Sequence, residues 1–591
     1  MNSGLSPSDP TLVAAFRSAL LHQGAIALLM LVFLCLLWAT ARTWRPAGSP
    51  ETGGATAGEP TEPRARWLLR TGFGVLWIFD GILQAQPKMA GGLATQVMEP
   101  IAASSPGWVQ HLVNWGGTAW SYHPIQAGAA SVWIQVGIGT WLIVAVRGPW
   151  SRLAGAASVI WGLIVWVFGE SFGGIFAPGL SWLTGAPGAV LIYVVAGALI
   201  ALPEGAWRAP RPGPLLLAGL GVFFAAMAVL QAWPGRGFWP GRAAAKPGTL
   251  SRMVTEMAGT PQPHFLSSLL SGFASFATRY GFAVNLVVVI ALAAMGAAFL
   301  SGRPRLVRYT MWSGIVFCLA DWVLVQDLGF LGGLGTDPNS MIPLIVLFSA
   351  GYLALTPAAQ EAEAPARAAE AKRPGVRSVA AAGALAVILL GAAPMAAAAV
   401  NRTADPILAL AISGDSTSLN LPAPGFSLTD QNGRTVSLAG LRGKVVLMTF
   451  LDPVCTSDCP IIAQEFKQTG QMLGAQAKNV ELVAVVANPT YRSTAFTRAF
   501  DRQEGLTAVP DWLYLTGSLS QLGAVWRHYG VAVQNLPAGA MAAHNDLAVV
   551  IDPAGRIRQE LSSDPGPATV STRSSFSVLL GQYARQALRQ S

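Results

Sequence analysis

Cys455 and Cys459 have three residues between them, and Pro460 follows directly. Proline there is typical of a first helical turn, so Cys459 is predicted at a helix N-terminus, where the helix dipole should lower the thiol pKa. The pair is close enough for a disulfide or a shared metal ion, and two thiolates on an exposed loop are soft ligands suited to Cu(I). A disulfide closing so small a loop would stabilise little, so a functional role is predicted.

The elements around the cysteines predict an α/β domain that starts near residue 416. An apolar run at 444–451 predicts a buried strand that leads into the cysteine loop, and 460–473 predicts an amphipathic helix that leaves it. The remaining predicted elements are hairpins at 426–438 and 547–561, a strand at 480–487, and helices at 493–503, 518–529 and 574–588. This order predicts a mixed sheet with helices on both faces.

Over about 420–590 the sequence resembles the SCO/SenC family of thioredoxin-like proteins. The resemblance depends on the Cys-x3-Cys-Pro element and on His544, which precedes a predicted strand and an Asp-x-x-Gly turn. In that family both cysteines and the histidine bind copper, so the resemblance implies that Cys455, Cys459 and His544 bind Cu(I) or Cu(II). It also implies help with copper delivery or cysteine reduction for a respiratory oxidase, with an oxidase subunit or a copper donor as partner.

The cysteine loop departs from the usual family pattern, and two other activities stay open. Thr456, Ser457 and Asp458 stand between the cysteines, where the family more often has Pro-Asp-Val. A membrane thiol–disulfide oxidoreductase would use Cys455 and Cys459 as a catalytic redox pair, although such enzymes normally have two residues between the cysteines. A peroxiredoxin would fit Pro453, Thr456 and Cys459 only with one more residue of spacing. Met541 is a candidate soft fourth ligand.

The rest of the chain is strongly apolar. The 591 residues are 52% hydrophobic and only 11% charged, which excludes a cytosolic globular enzyme, a disordered chain and a disulfide-rich secreted scaffold. The net charge of +9 comes mainly from arginines at the ends of apolar runs, so membrane topology explains it better than nucleic-acid binding does. Ten runs are long enough, or nearly so, to cross a bilayer, at about 18–41, 67–86, 124–146, 152–169, 185–203, 213–233, 280–300, 308–326, 340–357 and 378–400.

The distribution of basic residues predicts the orientation of these spans. Loops after the first, third, fifth, seventh and ninth runs are rich in arginine, which predicts that they face the cytoplasm. The loop at 234–280 is also basic, although long translocated loops tolerate such charge. The sequence therefore predicts a multi-pass protein of the bacterial plasma membrane, with both termini and the C-terminal domain outside.

An internal repeat divides the membrane part. Gly72 and Gly74 recur 147 residues later as Gly219 and Gly221, and each copy covers four predicted spans. The copies resemble DoxX-like four-helix membrane modules, which implies a link to thiol, sulfur or quinone redox chemistry. The predicted domains are a first span and linker at 1–66, repeat one at 67–203, repeat two at 204–357, a linker and last span at 358–404, and the thioredoxin-like domain at 405–591.

Four acidic residues fall within or beside the predicted spans. Asp80 and Asp321 lie inside spans, and Glu170 and Asp327 lie at outer ends. A carboxylate in the hydrocarbon region is costly, so each should face protein, water or a ligand. A proton or quinone site near the outer face and simple interhelical hydrogen bonding are both consistent with these positions.

Overall fold

The computed structural model describes most of the chain. The residues described are 10–43, 62–103, 105–177, 181–209, 211–239, 248–260, 262–331, 334–355, 374–400, 416–456, 458–535, 542–562 and 575–589.

The chain divides into two compact units. The first contains residues 1–19, 87–128 and 394–591, and the second contains 20–86 and 129–393. Residues 87–128, which the sequence analysis places within the first membrane repeat, group with the C-terminal domain in the first unit. The predicted domain boundaries stay predictions.

Helices occupy all ten positions at which apolar runs predicted membrane spans. These ten helices are α1 (Pro10–Thr43), α2 (Arg64–Gln84), α4 (Pro124–Val144), α5 (Gly148–Phe168), α6 (Ala189–Ala201), α7 (Pro212–Ala232), α9 (His264–Ser301), α10 (Pro304–Leu324), α11 (Met341–Leu355) and α12 (Pro374–Val400). Two further helices of ten or more residues, α3 (Gly107–Tyr122) and α8 (Thr249–Ala258), lie in the long loops before α4 and α9, and two short helices, Met89–Leu93 and Glu99–Ala102, precede α3.

Six of the described helices are long and apolar enough to cross a membrane. They include residues Leu12–Leu37, Pro124–Val144, Gly148–Phe168, Pro212–Ala232, His264–Ser301 and Ser378–Val400. Helices α6 and α11 are apolar but shorter, with 13 and 15 residues. At 1.5 Å per residue they are shorter than a bilayer core of about 30 Å. The count of about ten spans therefore stays a prediction.

Glycines bring equivalent helices together in the two halves of the second unit. A Cβ on Gly74 of α2 would lie 2.9 Å from the carbonyl oxygen of Gly139 on α4. A Cβ on Gly221 of α7 would lie 3.0 Å from the carbonyl oxygen of Gly296 on α9. Since only glycine permits such close backbone approach, Gly74 and Gly221 have the same packing role in the two copies.

The ends of the fifth and tenth helices also correspond. The indole N–H of Trp166 donates to the Pro187 carbonyl over 2.8 Å, and that of Trp322 donates to the Pro338 carbonyl over the same distance. A pair of non-glycine residues with positive φ follows each tryptophan, at 171–172 and at 327–328. These matched features support an internal duplication of the helical unit.

The acidic residues of the helical unit differ in their surroundings. Asp80 and Asp321 are buried. The Glu170 carboxylate accepts a hydrogen bond over 3.2 Å from the Val190 backbone N–H, in the first turn of α6. For Glu170 the structure therefore favours the interhelical hydrogen bond, which satisfies an otherwise orphaned N–H at a helix start.

A six-stranded mixed sheet forms the C-terminal domain, in the order β1-β10-β9-β4-β5-β6. The strands are β1 (Ser416–Pro422), β2 (Ser427–Thr429), β3 (Thr435–Ser437), β4 (Val445–Leu451), β5 (Val480–Val486), β6 (Trp512–Leu515), β7 (Val533–Asn535), β8 (Ala542–His544), β9 (Leu547–Ile551) and β10 (Arg556–Ser562). Strands β4, β5 and β6 are parallel, whereas β9 runs antiparallel to both β4 and β10. Strands β2 and β3 form one separate pair, and β7 and β8 form another.

Buried apolar strands place the sheet at the centre of this domain. Every residue of β4, β5 and β9 is buried, as expected for their near-continuous apolar sequences. The helices are α13 (Asp458–Leu473), α14 (Thr494–Gln503), α15 (Leu519–His528) and α16 (Phe576–Arg589). The register between β4 and β5 pairs Leu451 with Val486, so the two strands end side by side. The structure confirms the predicted mixed α/β domain and adds β1, β6 and the β7–β8 pair.

Candidate thiol and metal site

The two cysteines lie where β4 passes into α13. Cys455 is in the loop after β4, and Cys459 is the second residue of α13, directly before Pro460. The backbone N–H of Asp452 donates to the Cys459 sulfur over 3.2 Å. This bond closes the loop, and neither cysteine forms a disulfide in the structure.

The Asp452 carboxylate organises the segments that surround the cysteines. It accepts hydrogen bonds from the Val454 backbone N–H over 3.0 Å, the Asn488 side-chain amide over 2.9 Å and the Ala542 backbone N–H over 2.9 Å. These donors come from the cysteine loop, the end of β5 and the start of β8. One buried carboxylate therefore joins the loop that carries the cysteines to the strand that carries His544.

His544 is at the end of β8, with its ring against Cys459. Its Nε2 lies 3.5 Å from the Cys459 sulfur, and its Nδ1 lies 3.3 Å from the Asn545 carbonyl oxygen and 3.7 Å from a carboxylate oxygen of Asp546. When Nδ1 carries the proton and donates it to Asn545, Nε2 presents its lone pair toward the sulfur. Such a hydrogen bond to the far nitrogen is a common way to orient a metal-binding histidine.

The structure brings the predicted ligands close to one another but not into a complete metal site. The Cys455 thiol lies within hydrogen-bonding reach of Cys459, and Cys459 contacts His544. Metal bonds of about 2.3 Å to sulfur and about 2.0 Å to nitrogen, as in zinc sites, would allow one ion to bind two atoms that are 3.5 Å apart. Across the described residues, however, no three His, Cys, Asp or Glu side chains converge closely enough to hold a metal ion. The donor types fit a soft ion.

The expected exposure of the cysteine loop is wrong. Only 7% of Cys455 and 1% of Cys459 is accessible, and helix α3 packs against the residues on either side of Cys455. The expected lowering of the Cys459 pKa is also wrong. Burial raises the pKa of this thiol well above its ordinary value, and the neighbouring Cys455 thiol raises it further. Loss of hydration at a buried sulfur thus outweighs the attraction of the helix N-terminus for a thiolate.

Asp452 and Asn488 are the site residues that the sequence analysis missed. Each follows a buried parallel strand, β4 or β5, by one or two residues. Polar residues just beyond adjacent parallel strands meet at one edge of the sheet, and this was the available signal. Burial raises the pKa of Asp452, although its three hydrogen-bond donors and His544 act in the opposite direction. Met541 and Ser457 lie outside the described residues, and Asp458 is buried in the first turn of α13.

Comparisons with known proteins agree on the C-terminal domain. The family model for SCO1/SenC matches residues 415–574. No curated protein matches the chain.

Solved structures similar to the chain include three proteins of this kind, each of which covers 29% of the chain. BsSco, described as a member of the Sco family of cytochrome c oxidase assembly proteins, is 19% identical, with 95% of its own chain covered and a TM-score of 0.25. Copper-bound ScoI from Bradyrhizobium japonicum is 22% identical, with 98% covered and a TM-score of 0.23. A SCO1/SenC family lipoprotein from Bacillus anthracis is 20% identical, with 96% covered and a TM-score of 0.25.

Proposed function

Because residues 415–574 form an SCO1/SenC domain, we propose that this chain is a membrane-anchored, extracytoplasmic protein of SCO type that binds copper and undergoes thiol redox chemistry. It would assist copper delivery, or cysteine reduction, for a respiratory oxidase. The observation that carries this proposal is the 3.5 Å approach of His544 Nε2 to the Cys459 sulfur, with Cys455 beside it.

Copper would be the cargo of this site, held by Cys455, Cys459 and His544. Two sulfurs and one imidazole nitrogen form a low-coordinate, soft set that suits Cu(I) and can also hold Cu(II). The protein's own contribution is orientation. The Asn545 carbonyl positions the imidazole through Nδ1, and Asp452 joins the cysteine loop to β8. Copper bound in such a position could pass to a recipient that presents similar soft ligands.

The proposed location outside the plasma membrane is supported by contacts within the first unit. Helix α3 packs against α13 of the C-terminal domain, so we expect the loop that carries α3 to lie on the same side of the membrane as that domain. The arginines at the start of α2 would then lie on the opposite, cytoplasmic side, in accord with the positive-inside rule. One SCO1/SenC relative is itself described as a lipoprotein.

Copper titration of the reduced full-length protein in detergent tests the proposal. We expect about one equivalent to bind, and we expect the Cu(II) form to show a sulfur-to-copper charge-transfer band. His544→Ala should abolish that band. His528→Ala is the matched control, since His528 is an exposed histidine at the end of α15 in the same domain, and it should leave the band unchanged. Failure of the reduced protein to bind copper would overturn the copper proposal.

The closeness of the two reduced thiols also favours a second function, that of a membrane thiol–disulfide oxidoreductase. In that reaction the Cys455 and Cys459 thiols would reduce a substrate disulfide and become a disulfide themselves, and a quinol in the DoxX-like membrane part would return two electrons and two protons to them as it becomes a quinone. This function needs both sulfurs but not the imidazole. Turnover of a disulfide substrate that survives His544→Ala, without copper binding by the parent protein, would favour the enzyme over the copper carrier.

A further inference from the structure

A helix from the membrane part of the sequence covers the thiol pair. Helix α3 (Gly107–Tyr122) belongs to the same compact unit as the C-terminal domain, although some 340 residues separate them along the chain. Asn114 of α3 donates a hydrogen bond over 3.3 Å to the carbonyl oxygen of Val454, the residue directly before Cys455. On the other side of Cys455, a Cβ on Gly117 would lie 3.3 Å from Thr456. Helix α3 thus contacts both neighbours of Cys455.

One face of α3 makes these contacts. Gln110, Asn114 and Gly117 follow each other at spacings of four and three, so they lie on one side of the helix. Gln110 accepts a hydrogen bond over 3.3 Å from the Tyr491 hydroxyl, which extends the contact to the loop after β5. Trp108 and Trp115 lie on the opposite side, where 54% and 57% of these residues is exposed. The helix is therefore two-sided, with a small and polar face toward the cysteine loop.

The far end of α3 is anchored in the core of the C-terminal domain. Tyr122 is buried within the core of the C-terminal domain, and its hydroxyl accepts a hydrogen bond over 3.3 Å from the Gln464 amide of α13. Over the cysteine loop the contacts include one long hydrogen bond, from Asn114, and Gly117 against Thr456. Neither of these two contacts buries a large apolar side chain of α3, so we expect this part of the helix to separate from the loop more easily than Tyr122 leaves the core.

We propose that α3 is a cap that occupies the docking surface around Cys455, so that a partner reaches the thiol pair only when α3 leaves that surface. The partner that fits must present what α3 presents, namely a helix with a side-chain amide and, three residues later, a residue without a side chain. A copper donor or recipient would compete with α3 for the Val454 carbonyl and the Thr456 surface. The cap adds a step of regulation to the proposed function, and the identity of the exchanged ion rests on that function.

The rate at which a water-soluble maleimide labels Cys455 tests the cap. The full-length protein is used with Cys35→Ser and Cys318→Ser, so that the reactive pair alone remains, and labelling sites are identified by mass spectrometry. Gly117→Leu places a side chain against Thr456 and should speed labelling of Cys455 by about tenfold or more. Asn114→Leu keeps the volume but removes the donor to Val454, and it should speed labelling severalfold. Gly107→Leu is the matched control on the same helix, since nothing lies within 4 Å of its Cβ position, and it should leave the rate unchanged.

Protease resistance of the C-terminal domain shows whether each variant is folded, and Asn114→Leu keeps the test decisive if Gly117→Leu unfolds. Rates that match the parent in folded Asn114→Leu and Gly117→Leu would overturn the cap. An equal acceleration by Gly107→Leu would also overturn it, because general loosening of α3 would then explain the effect. Labelling needs no copper, so a parent protein that binds no copper but labels as expected would end only the copper proposal. One that binds copper but labels at equal rates in all variants would end only the cap.

Discussion

The sheet domain and the helical unit bury their acidic side chains in different ways. In the sheet domain, Asp452 accepts three hydrogen bonds from three separate segments that meet at the thiol pair. In the helical unit, Asp321 is equally buried, but neither of its carboxylate oxygens accepts a hydrogen bond from a described residue. A buried carboxylate marks an organised site only where donors from several elements converge on it.

The largest effect is expected from Asp452→Ala. This change leaves two backbone N–H groups and the Asn488 amide buried without their acceptor, which should lower the free energy of unfolding of the C-terminal domain by about 3 kcal/mol or more. Copper binding should fall with it, because the cysteine loop and β8 lose their common partner. Pulse proteolysis of the full-length protein in a urea series measures the first effect, and copper titration below the unfolding midpoint measures the second.

Asp552→Ala is a control that distinguishes a loss of domain stability from a loss of copper binding at the site. Asp552 also follows a buried strand and accepts hydrogen bonds from the Arg556 backbone over 2.8 Å and the Arg558 side chain over 2.6 Å, at the turn between β9 and β10. Its loss should destabilise the domain without changing the copper stoichiometry of the folded protein. If Asp452→Ala and Asp552→Ala had the same effect on copper binding, Asp452 would be a structural residue only.

A smaller effect, of about 1–3 kcal/mol, is expected from Gly221→Val in the helical unit. The added side chain would meet the Gly296 carbonyl oxygen at 3.0 Å and the backbone nitrogen of Leu300 at 2.9 Å, and would force α7 from α9. Gly219→Val is the control one half-turn earlier, where nothing lies within 4 Å of the Cβ position. The fraction of protein that stays monodisperse after heating in detergent measures the stability of both variants. Equal loss in the two variants would contradict the close helix contact and weaken the evidence for duplication.

Glu504 shows that not every buried carboxylate of the sheet domain belongs to the site. Burial raises the pKa of Glu504 to about 8, and its carboxylate oxygens have no hydrogen-bond partner among the described residues. The folded state therefore holds this proton to a higher pH than the unfolded chain, whose glutamates titrate near 4.5. The contribution of this group to the free energy of unfolding is fully present below about pH 4.5 and is lost as the pH rises toward 8.

Between pH 5 and 8, Glu504→Gln should remove the part of the fall in unfolding free energy that comes from this carboxyl group. The domain should then be more stable at pH 8, by a few kcal/mol at most. Glu560→Gln is the matched control, since Glu560 is an exposed glutamate of β10 in the same domain. Urea midpoints by pulse proteolysis across this pH range measure the slope. Parallel slopes for the parent protein and Glu504→Gln would show that the carboxylate is hydrated in solution.

The structural elements that depend on residues close together in the sequence were predicted, whereas those that depend on contacts with distant residues were missed. The Cys-x3-Cys-Pro element, strands β4 and β5 and the β9–β10 hairpin have local signals, and the structure contains each of them. Strand β1 was missed because its sequence, Ser-Thr-Ser-Leu-Asn-Leu-Pro, is mostly polar and becomes a strand by pairing with β10. The four-residue β6 was missed because it is short, and it forms along β5.

Long-range contacts also explain the two errors at the thiol pair. The loop was expected to be exposed, since its own residues give no sign that Asn114 and Gly117 would cover it. Once the loop is covered, desolvation raises the Cys459 pKa, whereas the local signal of a helix N-terminus had indicated the opposite. Gly74 and Gly221 were informative about a long-range contact, because a duplicated segment has the same contact residue in both copies.

The smallest effect is expected from Asp321→Asn. The two side chains have nearly the same shape, and no hydrogen bond from a described residue to the Asp321 carboxylate is lost. The amide also avoids any cost of a charge among apolar helices, so heat resistance in detergent should stay equal or rise slightly. Copper stoichiometry and maleimide labelling of Cys455 should not change. A marked loss of disulfide turnover in Asp321→Asn, in protein that stays folded, would instead show that this carboxylate moves a proton, and the contrast between Asp321 and Asp452 would then be one between two working sites.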